Sequence, residues 1–536
     1  MPVPPRRRDD ALHQRRAHRP ARLLAATALL LAALAAALAP AASAAESTTT
    51  GSADRAAAAQ PVADSTPLLP DGQDGVRVQP DTDTQTGTSS GTGTDSGNAP
   101  AEAGTTSWAA RAGWAVLLLA SAVMTFVAGT TLLWMLHAWR STESLRTTGF
   151  AAAPVPPQRR FTVLLPARHE EQVLGHTIDR LAASDHPDLE IIVIIGHDDP
   201  GTEAVARAAE ERHPTLVKVV IDHSEPKNKP RGMNTALPHV TGDVVGVFDA
   251  EDEVHPRLLS LVDARFTETG ADLVQGGVQL MNVQTTWWSL RNCLEYYFWF
   301  RSRLHFHAEQ HFIPLGGNTI FVRTDLLREA GGWDGDCLAE DCELGVRLST
   351  GGATVAVAYD TDVVTREETP GSVRSLVKQR TRWSQGFLQV LGKGIWKQLP
   401  TRRQRLLARY TLAMPFLQAF TGVMIPVSIG LVLFAKVPTL VALLSFVPVV
   451  PTLVTIVVEA AGLGEFARAY GVRLRPWDYL RLVLGTFPYQ VLLAFAALRA
   501  AWRELRGDSS WEKTEHTGAH VVPDAGTAPV PEVAAR

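Results

Sequence analysis

Short apolar runs that alternate with helical stretches occupy the middle of the chain. Four runs rich in Val, Ile and Leu have the length of buried strands: residues 161–166, 189–195, 216–221 and 244–248. Residues 177–183 and 202–212 lie between them and have the apolar spacing of helices. Strands that alternate with helices in this way predict an α/β fold with a mostly parallel, Rossmann-like sheet.

Longer apolar runs on both sides of this region predict transmembrane helices. Residues 108–139 exceed the ~20 residues needed to cross a bilayer and carry tryptophan near both ends. Three further runs follow the α/β region, at residues 407–434, 437–463 and 479–498. The predicted organisation is a transmembrane helix, an α/β domain, a transmembrane region and a tail, at residues 108–139, 150–404, 405–500 and 501–536.

The basic residues after the first run predict the orientation. Arg140 and Arg146 follow it directly, and the positive-inside rule then places the α/β domain in the cytoplasm of a multi-pass cell-membrane protein. Three later crossings would leave the tail outside, whereas one run lying at the membrane interface, or one crossing twice, would return it. Residues 287–306 mix aromatic residues with arginine, as an interfacial amphipathic helix or a buried aromatic core helix does.

The first hundred residues have neither the strand pattern nor the helix pattern of the α/β region. Residues 1–45 are basic and then apolar, and end near an Ala-Ser-Ala sequence, as a signal peptide or an uncleaved N-terminal membrane segment does. Residues 46–106 are rich in Thr, Ser, Gly and Asp, so we expect a disordered extracytoplasmic segment.

Composition narrows the functional classes only slightly. The formal net charge of −4 gives no reason to expect a nucleic-acid partner. The 3 cysteines all fall in the predicted cytoplasmic domain, where free thiols are expected.

A group of carboxylates follows the strand predicted at residues 244–248. Asp249, Glu251 and Asp252 lie just past its carboxyl end, where open α/β sheets bind ligands. Hard oxygen ligands there suit Mg²⁺ or Mn²⁺ carrying a diphosphate. The alternative is a solvated acidic turn.

Polar residues also follow the other predicted strands. Glu170 and either Asp198 or Asp199 are placed to accept hydrogen bonds from a nucleobase or ribose. Each is equally typical of a helix N-cap or first turn. Lys229 and Arg231 lie in a basic loop that suits a diphosphate.

The order of these motifs resembles glycosyltransferase family 2. The sequences PARHEE, GHDDPGT, KPRGMNTAL and FDAEDEVHP match its nucleotide-sugar half. Its acceptor half is matched by GGN at residues 316–318, Glu340-Asp341 and QRTRW at residues 379–383. The Gln-x-x-Arg-Trp spacing is that of membrane-bound processive polysaccharide synthases such as cellulose, chitin and hyaluronan synthases. His169 stands where the family usually has Asn, and Glu251 where a second Asp is common.

The resemblance implies a GT-A fold and a role for each matching residue. Asp341 would be the general base, and Asp249 with Glu251 would hold the metal. The implied nucleotide-sugar contacts are Pro166, Glu170, Asp198, Asp199, Lys229, Asn234, Asp249, Gln379 and Arg382. The implied acceptor contacts are Gly317, Asn318, Glu340 and Trp383.

Helix chemistry agrees with a base at Asp341. A helix predicted over residues 341–349 would stabilise the anionic carboxylate at its N-terminus, although Glu340 and Asp341 also suit simple caps. The sequence therefore predicts an inverting hexosyltransferase that moves a sugar from a UDP-sugar to a growing polysaccharide. Alternatives are single transfer to a lipid carrier or membrane lipid, and a non-catalytic nucleotide-binding component of a polysaccharide export machine.

Overall fold

The computed structural model describes residues 108–140, 156–435 and 437–512. The predicted leader, the segment 46–106, Arg146 and the end of the tail lie outside the described residues. Residues 108–116 belong to one compact unit, and the described residues from Leu117 onward belong to another.

Nine strands and fourteen α-helices make up the described chain. Strands β1 to β9 are Phe161–Ala167, Leu189–Gly196, Val217–Asp222, Val244–Val247, Leu273–Gly276, Val278–Leu280, Ile320–Arg323, Val355–Ala358 and Thr365–Glu367. Helices α1 to α7 are Trp108–Arg140, Leu174–Ala182, Pro200–Arg212, Lys229–Ala236, Leu258–Thr269, Ser289–Phe298 and Leu304–Glu309. Helices α8 to α14 are Thr324–Glu329, Glu340–Thr350, Val373–Lys393, Arg402–Phe434, Thr439–Ser445, Val449–Ala469 and Pro476–Leu505.

A seven-stranded sheet forms the centre of the domain, in the order β3-β2-β1-β4-β7-β5-β8. Strands β3, β2, β1 and β4 are parallel to one another, and β8 is parallel to β5. Strand β7 is antiparallel to both of its neighbours. The predicted α/β fold with a mostly parallel sheet is therefore confirmed, and the four predicted strands agree with β1 to β4 to within one residue at either end.

Both faces of the sheet are buried, which explains why its strands are almost continuously apolar. In β2, Ile191 and Val193 pack with α2, α3 and α5 on one face. Ile192 and Ile194 alternate with them and pack with α4, α8 and α9 on the other face. The carboxyl ends of β1, β2 and β4 consequently meet at one edge between two helical layers.

Four helical segments are long and apolar enough to cross a membrane: Ala110–Trp139, Arg402–Phe434, Thr439–Ala469 and Pro476–Leu505. Helix α13 leaves apolar side chains exposed, including Val450 at 64% and Val457 at 68%. The segment predicted over 287–306 is buried instead, since Cys293 and Tyr297 pack against Leu463 and Phe466 of α13. It therefore matches the buried aromatic alternative more closely than an exposed amphipathic helix.

Helix α14 lies along the domain over its whole length. Near its start, Arg291 Nη1 donates to the carbonyl of Leu482 at 3.1 Å. Near its end, Gln385 Nε2 donates to Glu504 at 3.1 Å. Both ends of α14 therefore contact the domain. The number of membrane crossings after the α/β domain stays a prediction.

Glycine allows α10 to approach the start of α9 closely. A Cβ on Gly386 would lie 2.4 Å from the Ala339 Cβ and 2.6 Å from its backbone nitrogen. Ala339 directly precedes Glu340, so this contact sets the distance between α10 and the Glu340-Asp341 pair.

We expect Gly386→Ala to lower the free energy of unfolding by about 1–3 kcal/mol, because the added methyl group overpacks the contact with Ala339. Gly392→Ala on the same helix is the matched control, since its Cβ would meet nothing within 4 Å. That change should raise stability by about 0.5–1 kcal/mol through helix propensity. Denaturant unfolding in one detergent measures both, and equal effects would contradict the close-packing account.

Candidate active site

A cavity of about 940 Å³ lies at the carboxyl ends of β1, β2 and β4. Most of the residues predicted for the site line it together: Pro166, Glu170, Asp198, Lys229, Asp249, Glu251, Gly317, Asn318, Glu340, Asp341, Gln379, Arg382 and Trp383. These residues come from stretches more than 200 positions apart, so tertiary folding brings one predicted set of side chains into one cavity.

Lys229 is the cation at the centre of the acidic end of this cavity. Its ammonium group pairs with Asp249 and donates to the carbonyl of Gly317 at 2.8 Å. Burial by itself would lower the pKa of Lys229, but the carboxylates of Asp249 and Glu340 raise it. Lys229 therefore stays charged and joins the acidic turn after β4 to the glycine turn before β7.

Glu251 shows how concentrated the negative charge is. It is 9% exposed, and burial together with the carboxylates of Asp249 and Glu170 raises its pKa to about 8. Oxygen ligands that repel one another in this way are a donor set suited to a hard divalent cation. Asp249 and Glu251 thus fit the predicted metal role by chemistry and by position.

Asp252 has a different environment from these two carboxylates. It is fully buried, accepts the backbone N–H of Asp249 at 2.8 Å, and accepts the amide of Asn318 at 3.0 and 3.1 Å. Burial, and then the charges of Glu367 and Asp249, raise its pKa well above the ordinary value. Asp252 consequently holds the turn in shape and does not line the cavity.

Glu340 and Asp341 form the first turn of α9, as predicted. Burial and the charge of Asp341 raise the pKa of Glu340 to about 7. Burial also raises the pKa of Asp341, although the backbone N–H of Cys342 and the charge of Lys229 act against it. The predicted stabilisation of the anion by the helix N-terminus is present, but the loss of solvent outweighs it.

The predicted face of α10 is directed towards the same cavity. Gln379 is 9% exposed, and its Oε1 has no hydrogen-bond partner among the described residues. The Arg382 guanidinium lies 4.5 Å from the centre of the Trp511 ring. Trp383 lies against Tyr296 and Arg380, with a ring-to-ring distance of 6.3 Å to Tyr296. A polar amide, a cation and an aromatic ring therefore line one wall.

Two predicted donor contacts do not line the cavity, and the structure gives them other roles. Asp199 caps α3 by accepting from the Thr202 nitrogen at 3.3 Å, which was the capping alternative. Asn234 exchanges hydrogen bonds with the backbone of Trp333, at 2.7 and 2.9 Å. Its side chain is therefore committed to holding the loop after α8.

The backbone explains the departure at His169. This residue has a φ of 54°, in the left-handed region, and its backbone N–H donates to Asp199 at 2.6 Å. Asn and His are among the non-glycine residues that most often adopt this conformation. His169 can therefore replace the usual Asn without changing the turn.

Several residues that line the cavity were absent from the predicted site, among them Glu367, Lys227 and Trp511. Glu367 accepts the amide of Asn318, Lys227 pairs with Asp198 at 3.8 Å, and Trp511 faces Arg382. The sequence offered a signal for two of them, because Lys227 lies in the basic loop and Trp511 follows the last apolar run. Glu367 lies in a short strand with no motif around it, so only the fold could reveal it.

Comparisons with known proteins agree with this geometry. Residues 156–386 match the family model described as glycosyltransferase like family 2. Residues 156–386 therefore resemble this family, and their sheet has the mostly parallel α/β order that the resemblance implies. The match covers the strands, the acidic turn and the Gln379 to Trp383 segment.

Named relatives with similar sequences include a glycolipid synthase and a mannosyltransferase. A β-monoglucosyldiacylglycerol synthase of Synechocystis sp. is 25% identical over 282 residues, which cover 49% of this chain and 57% of that protein. A probable glucomannan 4-β-mannosyltransferase 4 of Oryza sativa is 23% identical over 404 residues, which cover 71% of this chain and 69% of that protein. The chain thus spans less than two thirds of the length of the Synechocystis relative.

A solved structure is also similar. The mannosyltransferase of Pyrobaculum calidifontis in complex with GDP-Man and Mn²⁺ is 21% identical, with a TM-score of 0.49. The similarity covers 72% of this chain and 99% of that chain.

The different environments of Asp249 and Asp252 predict different effects of the same substitution. We expect Asp249→Asn to weaken Mn²⁺ binding by about 100-fold, because a cavity-facing anionic ligand is lost. Asp252→Asn should leave Mn²⁺ affinity within about threefold and lower the free energy of unfolding by about 1–3 kcal/mol, since a buried hydrogen-bond network is disturbed. Titration of Mn²⁺ in the presence of UDP, followed by electron paramagnetic resonance, measures the first effect. Equal losses of affinity would show that Asp252 is a ligand.

Proposed function

We propose that the protein is an inverting membrane glycosyltransferase that takes a sugar from a nucleotide sugar, with a UDP-sugar as the first choice of donor. The observation that carries this proposal is a single cavity. It joins the Asp249 and Glu251 carboxylates, the Glu340-Asp341 pair and the Gln379, Arg382 and Trp383 wall. Two residues differ from the usual family pattern. His169 adopts the left-handed backbone conformation that the turn requires, and Glu251 keeps a carboxylate at its position.

Asp249 and Glu251 would hold Mg²⁺ or Mn²⁺. The cation would stabilise the charge of the diphosphate leaving group. Lys229 pairs with Asp249 and so lies beside the proposed metal position. Lys229 and Arg382 would bind diphosphate oxygens.

Asp341 supplies the base in this proposal. It lines the cavity, and burial raises its pKa, which brings a carboxylate closer to the basicity needed to accept a proton from an acceptor hydroxyl. Attack on the anomeric carbon from the side opposite the diphosphate inverts the configuration. Trp383 offers an aromatic face on which the acceptor sugar can stack, and Gln379 offers an unpaired carbonyl oxygen to it or to the donor.

The membrane placement is also part of the proposal. Helices α1, α11 and the α12–α13 pair are the candidates for crossing, while α14 lies along the domain with an apolar stripe exposed, as at Leu484 and Phe495. We propose that α14 lies at the membrane surface and that the domain faces the cytoplasm. The Trp511 contact with Arg382 supports a tail on the same side.

Two acceptor classes are consistent with this site. The Gln379 to Trp383 motif favours a growing polysaccharide. Transfer of one sugar to a lipid is the second candidate, because the cavity extends between helices with apolar side chains such as Met135, Phe298 and Met414. An acceptor entering from the lipid phase would meet those side chains first.

We expect wild-type protein in nanodiscs to release UDP from one member of a UDP-sugar panel when Mn²⁺ or Mg²⁺ is present. Asp341→Asn should lower the rate by about 10²–10⁴-fold, because the proton acceptor is lost. Asp336→Asn is the matched control, since its side chain is 82% exposed and it should retain the rate within about twofold. Coupled detection of UDP provides the measurement.

The outcomes of this assay separate the alternatives. A ladder of product sizes supports the polysaccharide, and one glycolipid species supports the lipid acceptor. UDP binding without turnover on any acceptor would favour the non-catalytic alternative. A wild-type protein that binds neither UDP nor another nucleoside diphosphate contradicts the nucleotide-sugar assignment.

The pKa shifts predict the pH dependence of the rate. Because burial raises the pKa of Asp341 and of Glu340, the carboxylate form of the pair is lost as pH falls through values above the usual Asp range. The rate should therefore rise with pH on the acidic side of the pH–rate profile. The apparent pKa of this acid limb describes the coupled Glu340-Asp341 pair and not one of the two residues. Glu340→Gln should move this limb to lower pH, since a neighbouring negative charge is removed. A limb that is unchanged in Glu340→Gln would show that the titrating group lies elsewhere.

A further inference from the structure

The cavity has a second end, away from the acidic turn. There its walls come from α1, α6 and α11 and are mostly apolar: Trp134, Met135, Leu294, Phe298, Met414 and Pro415. A nucleotide sugar is polar and would gain little from contact with these apolar side chains. The hydrocarbon part of a lipid is stabilised by such contact, because apolar surface is removed from water. We call this end the apolar arm of the cavity.

Arg303 lines the apolar arm and has an unusual environment. Its guanidinium carbon lies 3.9 Å from the centre of the Trp134 ring and 4.9 Å from that of Trp299. Its Nε is buried without a hydrogen-bond partner, and within the described part of the chain its guanidinium takes part in no ion pair. Two tryptophan rings thus hold the cation in place. Among the described residues its terminal nitrogens make no hydrogen bond, and the negative charge of Glu295 acts on it without a direct contact.

Other cationic side chains that line the cavity are paired with carboxylates. Arg291 pairs with Glu459 at 2.7 Å, Arg380 pairs with Glu295 at 2.7 Å, and Lys229 pairs with Asp249. Among the cavity arginines that the structure describes, Arg303 and Arg382 are the two without a carboxylate in contact. Arg382 lies at the donor end, where an anionic diphosphate is expected. The same reasoning applied to Arg303 implies an anionic ligand at the other end.

The backbone around Arg303 is also irregular. Residues Trp299–Arg303 form a π-helical turn between α6 and α7. Turns of this kind occur often at functional sites, because they redirect side chains that a regular helix would place elsewhere. Ser302 in this turn donates to the carbonyl of Met135 at 3.3 Å, so α1 packs directly on it.

The position of Arg303 along the candidate spans is that of a membrane boundary. Tyr410, whose ring lies 5.6 Å from that of Trp134, is eight residues into α11, about 12 Å from the helix start. Trp134 is five residues from the domain-side end of its candidate span, about 7.5 Å. Trp and Tyr at such positions mark the level of lipid headgroups.

Arg303 remains a cation in this environment. Burial lowers its pKa to about 10, which still leaves the guanidinium protonated at neutral pH. A guanidinium binds phosphate oxygens in a bidentate manner, and such charge-assisted bonds are stronger than neutral ones. A phosphate group is therefore a better partner for Arg303 than a neutral sugar or glycerol hydroxyl.

We propose that Arg303 binds the phosphate group of a membrane lipid whose hydrocarbon chain occupies the apolar arm. The phosphate belongs either to a glycerolipid headgroup or to a polyprenyl-type lipid phosphate. A role for this lipid as the sugar acceptor rests on the proposed function. The binding site itself does not.

The test measures lipid binding directly, by native mass spectrometry of the full chain in a neutral detergent. The probes are short-chain phosphatidic acid, a short-chain polyprenyl phosphate, diacylglycerol as the neutral lipid, and inorganic phosphate as competitor. We expect Arg303→Gln to weaken binding of at least one lipid phosphate by about tenfold or more and to leave diacylglycerol binding unchanged. Arg303→Lys, which keeps the charge and loses the fork, should lie between the two proteins.

Arg382→Gln is the matched control at the donor end of the cavity. It should weaken UDP binding and leave lipid-phosphate binding unchanged, whereas Arg303→Gln should do the reverse. UDP binding by Arg303→Gln also shows that this variant is folded. If it does not fold, the wild-type preference for phosphatidic acid over diacylglycerol decides, with about tenfold or more supporting the site.

Each outcome has a definite meaning. Loss confined to phosphatidic acid identifies a glycerolipid headgroup, and loss confined to polyprenyl phosphate identifies a lipid-phosphate carrier. Unchanged binding in Arg303→Gln, equal loss of diacylglycerol, or competition by inorganic phosphate at equal potency would overturn the proposal. If Arg303-dependent lipid binding is found but no acceptor supports UDP release, the proposed enzymatic function is contradicted. The proposed lipid-binding site is then still supported.

Discussion

The charge balance at Lys229 is the interaction on which the site depends. Five carboxylates from three separate segments line one cavity: Glu170, Asp249, Glu251, Glu340 and Asp341. Buried like charges raise one another's pKa and oppose folding. Lys229 offsets part of this cost by contacting both Asp249 and the turn at Gly317. The remaining negative charge is the basis of the proposed metal and diphosphate site.

The close contact between Gly386 and Ala339 connects the cavity to the apolar helices. Helix α10 carries Gln379, Arg382 and Trp383, and it packs on α14 over much of its length through contacts such as Gln385 with Glu504. The same helix meets the start of α9 at Ala339. Helix α10 therefore contacts both α14 and the segment that carries Asp341.

One continuous cavity with two different ends explains the distribution of its arginines. At the donor end, Arg382 lies against Trp511, and at the apolar end Arg303 lies between Trp134 and Trp299. In both places aromatic faces stabilise a guanidinium without neutralising it. Such a group is kept available for a ligand anion, which a salt bridge to a protein carboxylate would prevent.

The sequence by itself determined the elements whose signals are local. The apolar runs of β1 to β4, the acidic turn at Asp249, and the Gln379 to Trp383 spacing all follow from the residues present, and the structure brings these motifs together as expected. The antiparallel β7 and the pairing of β5 with β8 did not follow, because short strands carry little periodicity.

Only the tertiary structure decided which polar residues serve the cavity and which serve the fold. Asp198 and Asp199 are adjacent and chemically identical, yet Asp198 lines the cavity and Asp199 caps a helix. Likewise, only packing shows that Glu295 engages Arg380 while Arg303 is left with two tryptophan rings. The physical reason is that a residue's type fixes what it can bind, whereas its neighbours across the fold fix what remains for it to bind.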